Sequence, residues 1–451
     1  MAAYIWLVDR RWLACALGGL GLVASQSPPD MMAEFPSGYF RSPWPAEDGG
    51  PQRRQYPWGA PGLNLQVGEQ LACTTRNTLL STMTVLGDPG QVYLLTHSAL
   101  RSQLGLPTTA CVERIDPVTL KTQIASPRLP GGPMWPGGMA IHTNGDLYVV
   151  YGRYAHRLSR DCEMKAAFQL PVDEAYNSFV ILDNGLIVTK NLSESTPALL
   201  TVLTPELQSA SGDTLCPEPS IARLSSRGNA VYVVGVESIF RYHWREDRQA
   251  LVLDTEWRHD YITGTQQVFG WDAVIDGWHA WFMDNGRHNY RLRMIESGLN
   301  PTPNRLIRVA LNDSQDHQAW EISGLAHGSI TNPPLVDIQR GIVVAYDAAN
   351  CMMRAWDMQG SQAKTALTPK WELKNFGCAS HMILYPDTGE LVTNDYRRWG
   401  EEVVVLDITT GLEKARVRSG GITQGVVFPS AGWNRDFYWS SMGRLARIFV
   451  A

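Results

Sequence analysis

Charge and cysteine are both scarce in this chain of 451 residues. Only 18% of it is charged, the formal net charge is -5 and the pI is about 6.1. No basic tract, RNA-binding signature or zinc-finger spacing is present, which argues against nucleic acid or another polyanion as a partner. The seven cysteines include no CxxC pair and no Cys/His cluster, so a structural zinc site is not expected. The serine-hydrolase signature GxSxG and the phosphate-binding GxxxxGKS/T are missing as well. Covalent serine catalysis and nucleotide hydrolysis therefore have no sequence support. Long hydrophobic runs are also lacking. The charge-free stretch Trp12 to Ala24 is too short to span a bilayer comfortably. It follows Asp9-Arg10-Arg11 and leads to small-residue positions at Val23 and Ser25. Residues 1–25 thus read as an export signal, which gives an extracytoplasmic protein, periplasmic or secreted.

What the chain does have is a repeat. An apolar run, a Gly/Asp/Asn turn, a second apolar run and a polar stop recur eight times. MAIHTNGDLYVVYG from Met139 and FVILDNGLIVTKN from Phe179 are clear copies, and others begin at Met83, Ile221, Asp272, Pro334, Met382 and Val426. Each is a β-hairpin by its turn chemistry and its β-branched and aromatic content. A hairpin recurring about every 40 to 60 residues marks a β-propeller, one copy to a blade. A third strand and a more polar fourth follow most copies, as in NRLIRVAL from Asn304 and HQAWEIS from His317. The last copy runs out after three strands, and the stretch from Asn64 has no hairpin of its own. That stretch is expected to supply the missing outer strand and close the ring. The reading is all-β: eight four-stranded blades over residues 63–451, with seven open if the first or third copy is irregular. Residues 26–62, rich in Pro, Gly, Ser and Gln, are expected to wrap over the surface as an extended segment.

Loss of Cys15 with an export signal leaves six cysteines, which allow 15 pairings. Cys351 with Cys378, inside one repeat, is the first expected bridge, and Cys73 with Cys111 the second.

Four segments carry a resemblance. SPWPAEDGGPQRRQYPWG from Ser42 resembles the Trp-Pro…Gly-x-Pro-Gln-Arg motif ahead of many quinoprotein-like propellers. IDPVTLKTQIA from Ile115 and LDITTGLEKAR from Leu406 resemble that family's Asp-x-x-Thr-Gly connection between strands. MILYPDTGELVTND from Met382 is equally similar to repeats of gluconolactonase and strictosidine-synthase propellers. The resemblance implies a propeller. It leaves open a quinone-dependent dehydrogenase, a calcium-dependent lactonase or a non-catalytic assembly protein. The chain has no adjacent Cys-Cys pair, no recognisable repeated Trp docking motif and no CxxCH haem motif. These departures weigh against a pyrroloquinoline quinone (PQQ) enzyme.

In a propeller the loops from fourth to next first strand share one end of the channel with those from second to third. The first set carries Trp135, Asn177, Trp271, Asp272, Asn332 and His381. The second carries Arg153, Asp284, Asp347, Asp395 and Arg397. Asn177, Asp272, Asp284 and Asn332 offer hard oxygen donors suited to calcium, with His381 or His327 as general base toward an ester or lactone. Trp135, Arg153, Trp271, Asp347, Asp395 and Arg397 would line a polar ligand pocket. The fifth copy inserts a long loop after Asp284, where Arg287 and His288 would suit an anionic ligand or acidic partner. Asp and Asn at strand ends also cap turns through their own backbone, which is the plain alternative for each of them. Two functions follow: a binding or assembly propeller that holds a small molecule or protein at the channel mouth, or a calcium-assisted lactonase.

Overall fold

Eight antiparallel sheets follow one another along the chain and close into a ring, a β-propeller of eight blades. The structure, a computed structural model, describes residues 34–451 apart from 79, 99, 100, 102, 103, 105, 134, 265, 288–294, 297, 360–365, 398, 399, 422–427 and 442. The side chains of Gln359 and Arg397 are likewise outside the description. The export segment and His288 therefore lie outside the described residues. Among the described residues no helix is long and apolar enough to cross a membrane.

The inner strands of blades one to eight are Ser81–Leu86, Gly138–Ile141, Tyr176–Ile181, Ser225–Arg227, Val274–Ile275, Leu335–Asp337, Ile383–Tyr385 and Ser430–Ala431. Each belongs to one copy of the repeat. Blade two shows why the pattern folds this way. Its first two strands, Gly138–Ile141 and Leu147–Tyr151, are buried throughout, because neighbouring blades cover both of their faces. Its outermost strand, Met164–Gln169, alternates between exposed and half-buried. The turn between the first two closes with Gly145 N–H donating to His142 O (2.8 Å), and Gly145 takes φ 86°, a conformation glycine enters at little cost.

The last blade closes as the sequence predicts. Leu71–Asn77 pairs antiparallel with Arg444–Val450, from Leu71 opposite Val450 to Asn77 opposite Arg444. No sheet edge is left open at the joint. The expected disulfides are not formed. Cys351 lies near the Ala348 carbonyl, while buried Cys378 meets the Thr393 hydroxyl at 3.2 Å. Cys73 sits on the closing strand beside the Arg418 carbonyl, and Cys111 is in blade one beside Ser126. All six described cysteines carry thiols. Proximity of repeats in sequence does not bring two Cβ atoms within bridging distance when their strands present them to different neighbours.

The segment before the first blade departs from the surface wrap expected of it. Its described part enters the channel and pairs with the inner strands one after another. Phe40 N–H donates to Ile141 O, and Leu86 and Ile141 donate to the carbonyls of Trp44 and Pro45. Ser226, Ile275 and Leu384 donate to those of Pro51, Gln52 and Gln55. Tyr39 Oη accepts from Ile181 N–H (2.8 Å), and Gln55 Nε2 donates to Pro334 O (2.8 Å). Seven blades are thus tied to one strap of chain. On leaving the channel, Asn64 and Leu65 donate both backbone N–H groups to the buried Glu390 carboxylate, each at 2.7 Å.

Candidate functional site

The strap bonds mostly to the far ends of the inner strands. At their near ends a second layer of residues faces the axis. Asn177, Arg223, Asp272, Asn332 and His381 stand at or just before the inner strands of blades three to seven, in matching places. Each is at least nine-tenths buried. They sew adjacent blades together: Asn177 Nδ2 donates to Ile221 O (3.0 Å), Asp272 Oδ1 accepts from Arg223 N–H (2.6 Å), and Asn332 Nδ2 donates to Ala379 O (3.3 Å).

Between strap and ring lies a buried ion cluster. Arg53, from the strap, is at its centre. Its Nη1 donates to Glu47 Oε1 at 2.8 Å and Asp48 Oδ2 at 2.9 Å, and lies 3.7 Å from Asp272 Oδ2. Its Nε donates to Leu224 O (2.9 Å), and its Nη2 to Ser178 Oγ (3.2 Å). Arg223 Nε meets the same Glu47 oxygen at 3.0 Å. His381 Nδ1 and Asp48 Oδ1 are 2.7 Å apart. Burial alone would raise the Asp48 carboxyl, but His381 and then Arg53 outweigh it and hold Asp48 below its ordinary value. The carboxylate is therefore ionised and accepts, so Nδ1 carries the hydrogen and Nε2 is the ring nitrogen left over. The sequence supports this arrangement at a conformational cost. Asp48, Arg53 and Gln55 all adopt positive φ (54°, 53° and 60°), which costs roughly 1–2 kcal/mol per residue and is offset here by the bonds their side chains make.

Three buried polar atoms among these residues have no hydrogen-bond partner: Asp272 Oδ2, Asn332 Oδ1 and His381 Nε2. They come from three successive blades. Aromatic rings pack nearby: Phe428 lies 4.2 Å from the His381 ring and 4.4 Å below the Arg223 guanidinium, centroid distances, and Trp135 and Trp271 stack at 6.4 Å. Lys190 Nζ, fully buried, donates to Ser220 O at 3.0 Å. Burial pushes its ammonium down to about 7, although Cys216 and Asp272 pull the other way.

The other sequence candidates lie elsewhere. Asp284 is held by Arg305, whose N–H and Nε bond its two oxygens at 2.6 and 2.8 Å. Burial raises its carboxyl to about 6 despite that partner. The expected calcium quartet is thus broken, with Asp284 committed to an arginine. Asp347 caps a turn by accepting from Ser323, Ser329 and Asn350. Asp395 accepts from Gly377 N–H and Arg416, Arg153 pairs with Asp173, and Arg287 pairs with Glu194 at 3.4 Å. His327 is exposed on the loop before blade six, away from the axial cluster. A groove of about 630 Å³ between the outer strands of blades four and five is lined by Arg258, His259, Arg305 and His317. Its two imidazoles lie 3.8 Å apart, and burial with His317 alongside pushes His259 down to about 4.

Sequence reasoning reached Asn177, Asp272, Asn332 and His381 but missed Glu47, Asp48, Arg53 and Arg223. The available signal was charge set inside a Pro/Gly segment, EDGGPQRR, which solvated loops share. A calcium ion does not fit the axial carboxylates as they stand, because the Arg53 guanidinium already occupies the position between them. The quinone does not fit there either, since the side chains of Glu47, Asp48 and Arg53 fill that part of the axis.

No family model matches this chain, and no curated protein matches it in sequence. Solved structures resemble it. A quinohemoprotein alcohol dehydrogenase from Comamonas testosteroni aligns with a TM-score of 0.61 at 10% identity, over 90% of this chain and 80% of that one. The quinohemoprotein alcohol dehydrogenase ADHIIG of Pseudomonas putida HK5 gives 0.57 at 9%, over 92% and 80%. A europium-containing methanol dehydrogenase gives 0.59 at 9%, over 91% and 98%. At such identities the likeness is one of architecture: the chain shares the propeller fold of these quinoproteins.

Proposed function

We propose that this chain is a binding propeller that holds a small, donor-rich polar molecule in the half of the channel above the Arg53 cluster. One observation carries the reading: three buried polar atoms on three successive blades, the acceptors Asp272 Oδ2 and Asn332 Oδ1 and the ring nitrogen His381 Nε2, have no hydrogen-bond partner. An unmet buried polar group costs about 1–3 kcal/mol, so a molecule bringing hydroxyl or ammonium donors gains what the empty ring forgoes. Trp271, next in sequence to Asp272, stacks on Trp135 and adds aromatic surface of the kind polar ligands pack against. The test is mass spectrometry of small molecules released on denaturing the purified protein, with a thermal-shift panel of polyols and primary amines. A stoichiometric molecule, or stabilisation that Asn332→Leu abolishes, supports the reading. The reading is overturned when no stoichiometric molecule is released and no polyol or amine stabilises the chain.

A second reading, metal-free hydrolysis of an ester or lactone, draws on the His381–Asp48 pair. A histidine oriented by a buried carboxylate, with its far nitrogen unoccupied, has the form of a general base. Turnover of a lactone panel that His381→Asn eliminates would favour it over simple binding. Export rests on the sequence of residues 1–25, and sequencing the N-terminus of the mature protein from the extracytoplasmic fraction tests it.

A further inference from the structure

We infer that the axial cluster is a divalent-cation site in which the chain has placed its own Arg53 guanidinium instead of a metal. Atoms offered by Glu47, Asp48, Asp272 and His381 all lie within 4.8 Å of one another, and all four residues are buried. That spacing suits ligands around one ion. Arg53 engages five oxygens there: Glu47 Oε1, Asp48 Oδ2, Asp272 Oδ2, the Leu224 carbonyl and Ser178 Oγ. Three carboxylates with one imidazole, beside the Leu224 carbonyl and Ser178 Oγ, make a set dominated by oxygen, which suits calcium. Asp272 Oδ2 and His381 Nε2 remain without a hydrogen-bond partner even with Arg53 in place. The guanidinium therefore leaves ligand capacity at the site unused.

The charge balance points the same way. Glu47, Asp48 and Asp272 bring three negative charges, and Arg223, at 3.0 Å from Glu47, returns one positive. Without Arg53 the site is left with two uncompensated negative charges, which a divalent ion matches. With Arg53 one remains, next to His381. Burying that much charge unpaired is strongly unfavourable, so some cation has to be present for the strap to seat. A tethered guanidinium does this without reference to the metal content of the surroundings. The consequence is that strap docking in the natural chain is indifferent to calcium and to chelators. This inference shares Asp272 Oδ2 and His381 Nε2 with the proposed binding site, but its test reads calcium alone, with no molecule bound above the cluster.

Arg53→Ala tests it. The variant, treated with chelator and then titrated with calcium chloride, is expected to bind one calcium per chain, and its thermal midpoint is expected to rise as calcium is added. The natural chain is expected to show neither change, and Arg53→Lys, which keeps a tethered cation, is expected to remain calcium-indifferent. If Arg53→Ala is insoluble, refolding is compared in millimolar calcium and in chelator, and recovery only with calcium supports the site. Three results overturn the inference. One is a folded Arg53→Ala chain indifferent to calcium. Another is an insoluble one that calcium does not recover. The third is a natural chain destabilised by chelator.

Discussion

The two ends of the channel are built on opposite principles. At the strap end, nearly every polar group has a partner, and backbone strain at Asp48, Arg53 and Gln55 is accepted to achieve this. At the other end, Asp272, Asn332 and His381 are just as buried, yet each leaves an atom unmet. Burial alone does not tell a structural polar cluster from a binding one. Whether its hydrogen-bonding capacity is spent does.

Substitutions should separate the ends by size of effect. Asp48→Asn removes one partner of a buried ion network while keeping a side chain that tolerates positive φ. It should cost about 3 kcal/mol in denaturant unfolding. The same change should flatten the acid limb of the stability curve. The Asp48 carboxyl lies below its ordinary value of 3.8, so its contribution is present above that pH and lost as pH falls through the folded value. A cost no larger than that of an upper-end substitution would erase the contrast.

Tyr39→Phe leaves the buried Ile181 N–H without its acceptor and should cost about 1–2 kcal/mol. An unchanged midpoint would mean that the strap is not held blade by blade. Lys190→Met should act on slope. Between about 7 and 10.5 the unfolded chain binds a proton at Lys190 that the folded chain does not, so stability rises with pH across that window. The variant should lose this rise, read as a smaller difference in thermal midpoint between pH 7 and pH 9.5. The least effect is expected at the open end. Asn332→Leu gives up two hydrogen bonds but also removes an unmet acceptor, so its net cost should stay within about 1 kcal/mol. A loss as large as that of Asp48→Asn would mean that Asn332 belongs to the scaffold.

The ring was legible because its signal is local. A hairpin such as MAIHTNGDLYVVYG carries its own turn and its own alternation, and eight of them count the blades without any long-range information. Closure by the strand after Asn64 followed from a missing partner in the last copy. The inner-layer positions were legible too, since propeller topology assigns every loop to an end. The strap was not. Its elements have no period, and its bonds join residues far apart, as Asp48 and His381 do across 333 positions. Nothing near Arg53 in sequence announces that its partners arrive with Leu224 and Asp272. Asp284 and Asp395 misled for the opposite reason. They stand near the expected end, Asp395 within its strand, but Arg305 and Arg416, each on the same blade, claim them.

The joint between Leu71–Asn77 and Arg444–Val450 bears on how the protein is made. Synthesis runs from the N-terminus, so the stretch that ends up threaded on the axis leaves the ribosome before any blade exists. Its counterpart His381 follows only with the seventh, and the first-made strand waits for the last-made one. Until the eighth blade has been made, two carboxylates, an arginine and an unsatisfied strand edge must stay in water without mispairing. The glycines, prolines and charges that hid this stretch's destination from view also keep the waiting chain soluble.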